Sequence, residues 1–138
     1  MKNSYKFILG KIGEYIACAD LLEQGYTACL ITNEDSMYDI IVDYKGKIIK
    51  IQVKTTNKKP IKESQYYFRL RKTNHSHYSA KEIDIFALVI LNKKKVLYVA
   101  NENLPTNVTV SKYKIPRTKQ DLLIDNLTFH SALDKIIK

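Results

Sequence analysis

The chain has 138 residues, of which 45% are hydrophobic and 27% charged, and its formal net charge is +9 at pH 7. This composition is that of one globular domain, and it excludes wholesale disorder and a second domain of ordinary size. The longest apolar run, 85–91, is too short to cross a membrane, and Cys18 and Cys29 are too few for a disulfide framework. We therefore expect a cytoplasmic protein without a signal peptide, in which both cysteines are reduced and buried.

The first predicted element is a helix over residues 4–24. Ser4 is a suitable N-cap, and Gly25 is a suitable left-handed residue after the last turn. Apolar residues recur at helical spacing and predict one apolar face, made of Ile8, Ile12, Tyr15, Ile16, Ala19 and Leu22. Gly10, Gly13 and Ala17 form a side of small residues, although a glycine inside a helix is unfavourable by about 1 kcal/mol relative to alanine. We expect this small side to approach another element closely, such as a sheet.

Strands dominate the rest of the chain. The alternation of residues predicts strands over 27–31, 38–44, 47–56, 65–71, 84–91, 95–100 and 107–114, followed by a helix over 130–138. The segment 85–91 is apolar at both sets of alternate positions, which is typical of a strand buried on both faces. We therefore predict a single domain over 1–138, with its core at about 4–100 and a C-terminal extension over 101–138.

The strands 38–44 and 47–56 are predicted to form a hairpin that carries the chemistry. A two-residue turn at Lys45-Gly46 places Asp39 opposite Gln52. Asp39, Gln52 and Lys54 then share the more polar face, because side chains alternate along a strand. A carboxylate, an amide oxygen and a lysine suit metal-assisted phosphodiester hydrolysis, and Glu14 of the helix could add a second carboxylate. The alternative is a solvated Asp–Lys pair on an exposed hairpin.

The positive charge is concentrated in residues 45–74, which contain ten basic residues and one acidic residue. Such a segment points to a polyanion, most often nucleic acid. The candidate contacts lie in the strand 65–71 and its flanks: Lys58, Lys59, Lys62, Tyr67, Arg69, Arg71 and Lys72. A solvated basic face is the alternative. His75 and His77 are interpreted as surface residues, because no cysteine or second histidine pair lies near them in sequence.

The order of these segments resembles the PD-(D/E)XK nuclease superfamily, in which a helix with Glu precedes a strand with Asp and a strand ending in (D/E)XK. The matching segments are 13–17 (GEYIA), 38–42 (YDIIV) and 51–56 (IQVKTT). Residues 78–87 (YSAKEIDIFA) are similar to the next strand in the branch of group I intron homing endonucleases, and archaeal Holliday-junction resolvases are a more distant likeness. Two residues depart from the pattern: Tyr38 replaces Pro, and Gln52 replaces the acidic residue, as in that homing-endonuclease branch.

The resemblance implies a restriction-endonuclease-like α/β domain, that is, an α+β domain whose N-terminal helix precedes a mixed central sheet. It implies that Asp39 is the main metal ligand, that Gln52 is a second ligand through its carbonyl and that Glu14 holds the metal or its water shell. Lys54 would orient the attacking water and stabilise the transition state, whereas Asp84 is expected to be structural. Gln52 removes one negative charge, so metal affinity should be lower than with an acidic residue.

The function expected from this resemblance is that of a Mg²⁺-dependent DNA endonuclease, with Mn²⁺ as a possible substitute. Its substrate would be double-stranded or branched DNA, and it would be nucleoid-associated when bound. One site per chain and two strands to cut suggest a symmetric homodimer or a higher homo-oligomer. Two alternatives stay open: an inactive member of the same fold that binds nucleic acid, and a basic binding module without a metal site.

Overall fold

The computed structural model describes residues 2–62, 64–72, 74–102, 104–113 and 122–137, with side chains from Tyr5 onward. Within these ranges the chain forms a long helix α1 (Lys2–Glu23), a short helix α2 (Phe129–Ile136) and seven strands. The strands are β1 (Thr27–Leu30), β2 (Ile40–Tyr44), β3 (Lys47–Thr56), β4 (Gln65–Arg69), β5 (Ile85–Ile90), β6 (Lys95–Ala100) and β7 (Asn107–Ser111). None of the helices in these ranges is long and apolar enough to cross a membrane.

The central sheet contains five strands in the order β1-β2-β3-β5-β6, and β4 and β7 form a separate antiparallel pair. In the central sheet only β3 and β5 run parallel, and the other neighbours among the described strands are antiparallel. The prediction of a mixed central sheet behind an N-terminal helix is therefore confirmed. β3 lies in the middle of this sheet, and its C-terminal part, 52–56, remains paired with β5 after the pairing with β2 ends at Ile51.

The β2–β3 hairpin has the predicted register, with Tyr44 paired to Lys47 and Ile40 paired to Ile51. Its two turn residues, Lys45 and Gly46, have φ values of 53° and 88°. Two consecutive positive φ values match the right-handed twist of the flanking strands, which is why such turns favour tight hairpins. Asp43 stabilises the turn because its Oδ1 accepts a hydrogen bond of 2.9 Å from the Gly46 backbone N–H.

Helix α1 packs on the sheet through Gly13 and Ala17, as predicted, whereas Gly10 of the predicted small side makes no close approach. A Cβ atom built on Gly13 would lie 1.8 Å from Thr55 Oγ1, so only glycine permits this approach to β3. Ala17 and Leu21 are fully buried on the same side. Gly25 has the expected positive φ of 93° after the last turn.

The apolar face predicted for α1 is, by contrast, mostly directed to solvent. Only Ile16 packs partly against the core, whereas the other members are exposed: Ile8, Ile12, Tyr15, Ala19 and Leu22. The physical reason is that the backbone of α1 can approach the sheet most closely on the side of its small residues. Ser4 is not the N-cap either, because the helix already begins at Lys2.

Two hydrophobic cores lie on opposite faces of the central sheet, and β5 contributes to both. All six residues of β5 are buried, as predicted for a strand covered on both sides. Ile85, Ala87 and Val89 face the core under α1 and α2, whereas Phe86, Leu88 and Ile90 face the core under β4 and β7.

The segment after residue 100 contributes to both cores. Phe129 of α2 is fully buried in the first core, and Val108 and Val110 of β7 are buried in the second. The predicted strand 107–114 ends at Ser111, and Lys114 lies outside the described residues. The predicted last helix begins one residue earlier than expected, at Phe129, where Thr128 Oγ1 accepts a hydrogen bond of 3.1 Å from the Ser131 backbone N–H.

The two cysteines differ, which corrects the expectation that both are buried. Both are free thiols, but Cys18 is buried and Cys29 is exposed. Cys29 follows the buried Ala28 on the edge strand β1, so alternation along the strand directs its side chain away from the core.

Candidate active site

Asp39 lies at the end of the hairpin where β2 begins, and its position is fixed by hydrogen bonds to both neighbouring strands. Its backbone N–H donates to the carbonyl of Ile51 at 2.8 Å, and its own carbonyl accepts from the Ile31 N–H at 2.9 Å. Its carboxylate Oδ2 accepts from the Val53 backbone N–H at 2.9 Å. The carboxylate is thereby held against β3, beside the side chains of Gln52 and Lys54.

The four predicted catalytic side chains converge on one cavity of about 610 Å³. Glu14, Asp39, Gln52 and Lys54 all line it. Glu14 comes from α1, and it reaches the site because its neighbour Gly13 brings the helix into contact with β3 at Thr55. The other three come from the hairpin, so the local register predicted from the sequence accounts for most of the arrangement.

The two carboxylates are close enough to influence each other. Partial burial raises the pKa of Glu14, and the negative charge of Asp39 raises it further, while Lys11 opposes the shift. Lys11 Nζ lies 3.5 Å from Glu14 Oε1. Burial also raises the pKa of Asp39, against the lowering effect of the Val53 N–H and of Lys54. A pair of carboxylates that resist ionisation in this way is an environment in which a bound cation is favourable.

Lys54 is held by groups outside the hairpin. Its Nζ donates to the Tyr78 hydroxyl oxygen at 3.3 Å and to the Arg71 carbonyl at 3.5 Å. Nζ also lies 5.1 Å from the centre of the Tyr78 ring, within the range of a cation–π interaction. Burial lowers the pKa of Lys54, and the charge of Asp39 partly restores it.

Sequence reasoning did not identify Tyr78 as part of the site. Its hydroxyl approaches Lys54, and its ring packs edge-on against Phe86 with centroids 5.7 Å apart. Burial raises the pKa of Tyr78, as do the negative charges of Asp39 and Glu82. The only signal in the sequence was that Tyr78 begins the fourth segment of the family-like pattern, because nothing in the periodicity of that loop distinguishes it.

The donor atoms at the site fit a hard divalent cation. They are the carboxylate oxygens of Glu14 and Asp39 and the amide oxygen of Gln52, which are the ligand types that Mg²⁺ and Mn²⁺ prefer. No group of three or more His, Cys, Asp or Glu side chains is placed to hold a metal among the residues that the structure describes. A cation here would therefore have two protein carboxylates and would keep several waters, which Mg²⁺ tolerates well.

A basic surface adjoins the cavity. Four of the predicted nucleic-acid contacts line a neighbouring cavity of about 430 Å³: Lys58, Tyr67, Arg69 and Arg71. Lys54 and Thr55 line both cavities, so the two are adjacent. Lys6 of α1 also lines both and was missed in the sequence, because a single lysine on a helix gives no pattern.

The remaining candidates, Lys59, Lys62 and Lys72, do not line this cavity. Lys59 and Lys62 are exposed on the loop between β3 and β4. Lys72 Nζ instead donates to Glu82 Oε2 at 2.6 Å. His75 and His77 are exposed, as expected for surface groups.

Asp84 has the structural role expected of it. Its Oδ2 accepts a hydrogen bond of 2.8 Å from the Lys50 backbone N–H, and its carbonyl accepts one of 2.9 Å from Asn101. These bonds connect the start of β5 to β3 and to the end of β6. Asp84 thus aligns the parallel strand pair without lining the cavity that contains Asp39.

Comparisons with known proteins agree with this geometry. Among solved structures, a bacterial homing endonuclease, I-Ssp6803I, is similar with a TM-score of 0.62 and 17% sequence identity, over 81% of this chain and 79% of that chain. At this identity the likeness shows the fold alone, and it confirms the restriction-endonuclease-like architecture. No curated protein is significantly similar in sequence. A family model described as PD-(D/E)XK endonuclease matches residues 6–131, and because this match spans most of the chain, the protein belongs to the PD-(D/E)XK endonuclease family.

Proposed function

We propose that this protein is a metal-dependent endonuclease that hydrolyses phosphodiester bonds in double-stranded or branched DNA. The observation that carries the proposal is the convergence of Glu14, Asp39, Gln52 and Lys54 on one cavity that adjoins a basic one. The first cavity supplies groups for hydrolysis, and the second supplies positive charge for the DNA backbone. Family membership supports the reaction class.

The cation is Mg²⁺, with Mn²⁺ as a substitute, and it would be held by Asp39, Glu14 and the amide oxygen of Gln52. When bound, such an ion neutralises charge on the phosphate and lowers the pKa of a coordinated water. Asp39 is pre-positioned for this role because the Val53 N–H fixes one of its carboxylate oxygens. Gln52 contributes an oxygen but no charge, so the site relies on the two carboxylates for electrostatic affinity.

Lys54 acts on the substrate. An ammonium group has three N–H donors, and the contacts with Tyr78 and Arg71 use two of them. The third donor can orient the attacking water or stabilise the negative charge that develops on the phosphate oxygens. Attack of the water on phosphorus breaks one P–O bond and yields a phosphate monoester and an alcohol.

The basic cavity positions the DNA. Lys58, Arg69 and Arg71 can donate to phosphate oxygens, and Tyr67 is 42% exposed beside them. Such contacts fix the position of the backbone without reading the base sequence. Cleavage of both strands of a duplex calls for two sites, so we also propose a homodimer that acts in the cytoplasm and associates with the nucleoid when bound.

A second candidate function is DNA binding without cleavage. The presence of Gln52 favours this second candidate. Because its amide carries no charge, Glu14 and Asp39 are the only carboxylates that line the cavity among the described residues. In that case the same cavities would bind DNA and a cation weakly, without supporting hydrolysis.

The test is a cleavage assay on supercoiled plasmid and on four-way-junction DNA, with Mg²⁺ or with EDTA. We expect cutting with Mg²⁺ that is lost in EDTA and in Lys54→Ala. Lys47→Ala, an exposed lysine at the far end of the hairpin, is the matched control and should cut normally. Binding without cutting in every condition would support the second candidate, and absence of both would contradict the two proposals together.

A further inference from the structure

Gly10 of α1 is a helical glycine that packing does not explain. A glycine inside a helix is less favourable than an alanine, so a contact that only glycine permits is the usual reason for it. Gly13 has such a contact, because a Cβ atom there would lie 1.8 Å from Thr55 Oγ1. Around the Cβ position of Gly10 no atom lies within 4 Å, apart from its two chain neighbours and the backbone of its own helix. An alanine would therefore fit at residue 10 and favour the helix.

The open space at Gly10 faces the candidate active site. Gly10 lines the cavity of about 610 Å³ that contains the metal-ligand candidates. It also lines a cavity of about 200 Å³ between α1 and the loop that joins β1 to β2. Glu14 and Asp39 line both cavities, so the two adjoin at the carboxylates. Because Gly10 has no side chain, a ligand there can approach the helix backbone closely.

The two residues that flank this space on α1 have opposite charges. Lys6 and Glu14 are each four residues from Gly10, so the three lie on one face of the helix in successive turns. At about 1.5 Å per residue, each charged residue is about 6 Å from Gly10 along the helix axis. We call the space over Gly10, between Lys6 and Glu14, the Gly10 gap. An anion in it would have an ammonium group on one side and the proposed cation of Glu14 and Asp39 on the other.

Lys6 is placed to bind such an anion. It is the one described residue that lines all three cavities, namely the two at the carboxylates and the basic one of about 430 Å³. Its side chain is exposed, and it takes part in none of the ion pairs formed within the described ranges. Lys11, by contrast, lies 3.5 Å from Glu14. A DNA strand that runs from the basic cavity to the carboxylates therefore passes beside Lys6.

We propose that a backbone phosphate of the bound DNA strand occupies the Gly10 gap, where Lys6 contacts it next to the metal ligands. A phosphate suits the gap better than a base does, because the flanking groups are cationic once the metal is bound. The missing Cβ atom of Gly10 then serves the substrate and not the packing of the helix. The inference rests on the proposed function, since it states where the DNA strand crosses α1, but it requires DNA binding only.

The first test varies the size of residue 10 and measures duplex DNA binding by fluorescence anisotropy, with Ca²⁺ in place of Mg²⁺. Gly10→Gln should raise the dissociation constant at least about tenfold and Gly10→Ala less, because the added atoms fill the gap. Both variants should melt at or above the temperature of the wild type, since the helix gains propensity. Ala19→Gln, at an exposed position of α1 that lines none of the three cavities, is the matched control and should bind normally.

The second test asks whether Lys6 and Gly10 act on the same phosphate. Lys6→Gln alone should lower the slope of log affinity against log salt concentration by about 0.9, the value for one phosphate contact on duplex DNA. In the Gly10→Gln background it should change neither slope nor affinity further, because the phosphate is already displaced. Lys93→Gln, an exposed lysine outside the cavities, should keep the wild-type slope.

Wild-type affinity in Gly10→Gln would overturn the inference, as would a lower melting temperature, which would show that packing requires the glycine. Fully additive effects of Lys6→Gln and Gly10→Gln would also overturn it. The outcome is separable from that of the proposed function. Loss of binding in both single variants, in a protein that never cuts DNA, would support the Gly10 gap and contradict the nuclease proposal. A protein that cuts DNA and binds it equally well as Gly10→Gln would do the reverse.

Discussion

Gln52 occupies the position at which the family motif has an acidic residue, and its replacement tests how the site holds a cation. We expect Gln52→Glu to bind Mn²⁺ or Mg²⁺ about tenfold more tightly, because ligand charge strongly affects affinity for hard cations. Gln52→Ala should bind more weakly than the wild type, since it removes an oxygen donor. Isothermal titration calorimetry checks both. Equal affinities in all three proteins would mean that residue 52 does not contact the metal.

Tyr78 is expected to position Lys54 rather than to contact the DNA. Tyr78→Phe removes the hydroxyl that accepts from Lys54 Nζ at 3.3 Å. A lost hydrogen bond of about 1 kcal/mol predicts a roughly fivefold lower single-turnover cleavage rate with unchanged DNA affinity. Tyr113→Phe, at an exposed tyrosine beyond β7, should leave both quantities unchanged. If Tyr78→Phe lowered only the DNA affinity, the positioning role would be wrong.

Glu82 is expected to make stability depend on pH in the acid range. The hydrogen bond from Lys72, followed by that from the Ser79 N–H, lowers the pKa of Glu82 to about 2 from 4.5. Because the folded-state pKa is depressed, the stabilisation is present above about pH 4.5 and is lost as the pH falls towards 2. Melting temperatures of wild type and Glu82→Gln should therefore differ at neutral pH and converge near pH 2. A constant difference across this range would contradict the prediction.

At the level of elements, the contact between α1 and β3 depends on Gly13. In Gly13→Ala the new Cβ would meet Thr55 Oγ1 at 1.8 Å and Thr55 Cβ at 2.9 Å. We expect a net loss of about 1–3 kcal/mol in the free energy of unfolding, because overpacking outweighs the gain in helix propensity. Gly10→Ala is the matched control, since nothing lies within 4 Å of its Cβ position, and it should be neutral or stabilising by up to about 1 kcal/mol. Urea denaturation measures both, and equal effects would mean that the close approach is not limiting.

The hairpin could be predicted from the sequence because its determinants are local. Turn residues and alternation are sufficient to fix the register, which then places Asp39, Gln52 and Lys54 together. The orientation of α1 could not be predicted in the same way. Hydrophobic spacing predicts that the large apolar side chains of α1 face the sheet. In the structure the side of Gly13 faces the sheet instead, because it packs against Thr55, more than 40 residues away in the chain.

Contacts between segments that are distant in the chain explain the other features that the sequence did not predict. The parallel pairing of β3 with β5 and the separate β4–β7 pair join strands that are far apart in the chain, and no local pattern encodes such partners. Tyr78 was missed for the same reason, because its approach to Lys54 depends on how the loop before β5 folds over β3. Lys6 lines the site only because α1 packs across the C-terminal end of β3.

At the level of the whole molecule, the basic surface should control how DNA binding depends on salt. Each phosphate contact contributes a slope of about 0.9 in a plot of log affinity against log salt concentration for duplex DNA. Lys58→Gln/Arg69→Gln should therefore lower the slope by about 2 and weaken binding. The control variant Lys47→Gln/Lys93→Gln removes the same amount of charge at exposed sites outside the two cavities. Its slope should equal that of the wild type. Fluorescence anisotropy in EDTA measures this, and equal slopes for the two double variants would contradict a defined DNA surface.

The tight turn at Lys45-Gly46 has a practical consequence. It closes the hairpin at the end opposite Asp39, and at about 3.3 Å per residue along β2 the turn lies about 17 Å from that carboxylate. Residues 45–48 are exposed, and no atom beyond Gly46 and its two chain neighbours lies within 4 Å of the Cβ position at Gly46. A short peptide tag or a dye attached there would therefore follow the protein onto DNA without contacting the groups that carry out the chemistry.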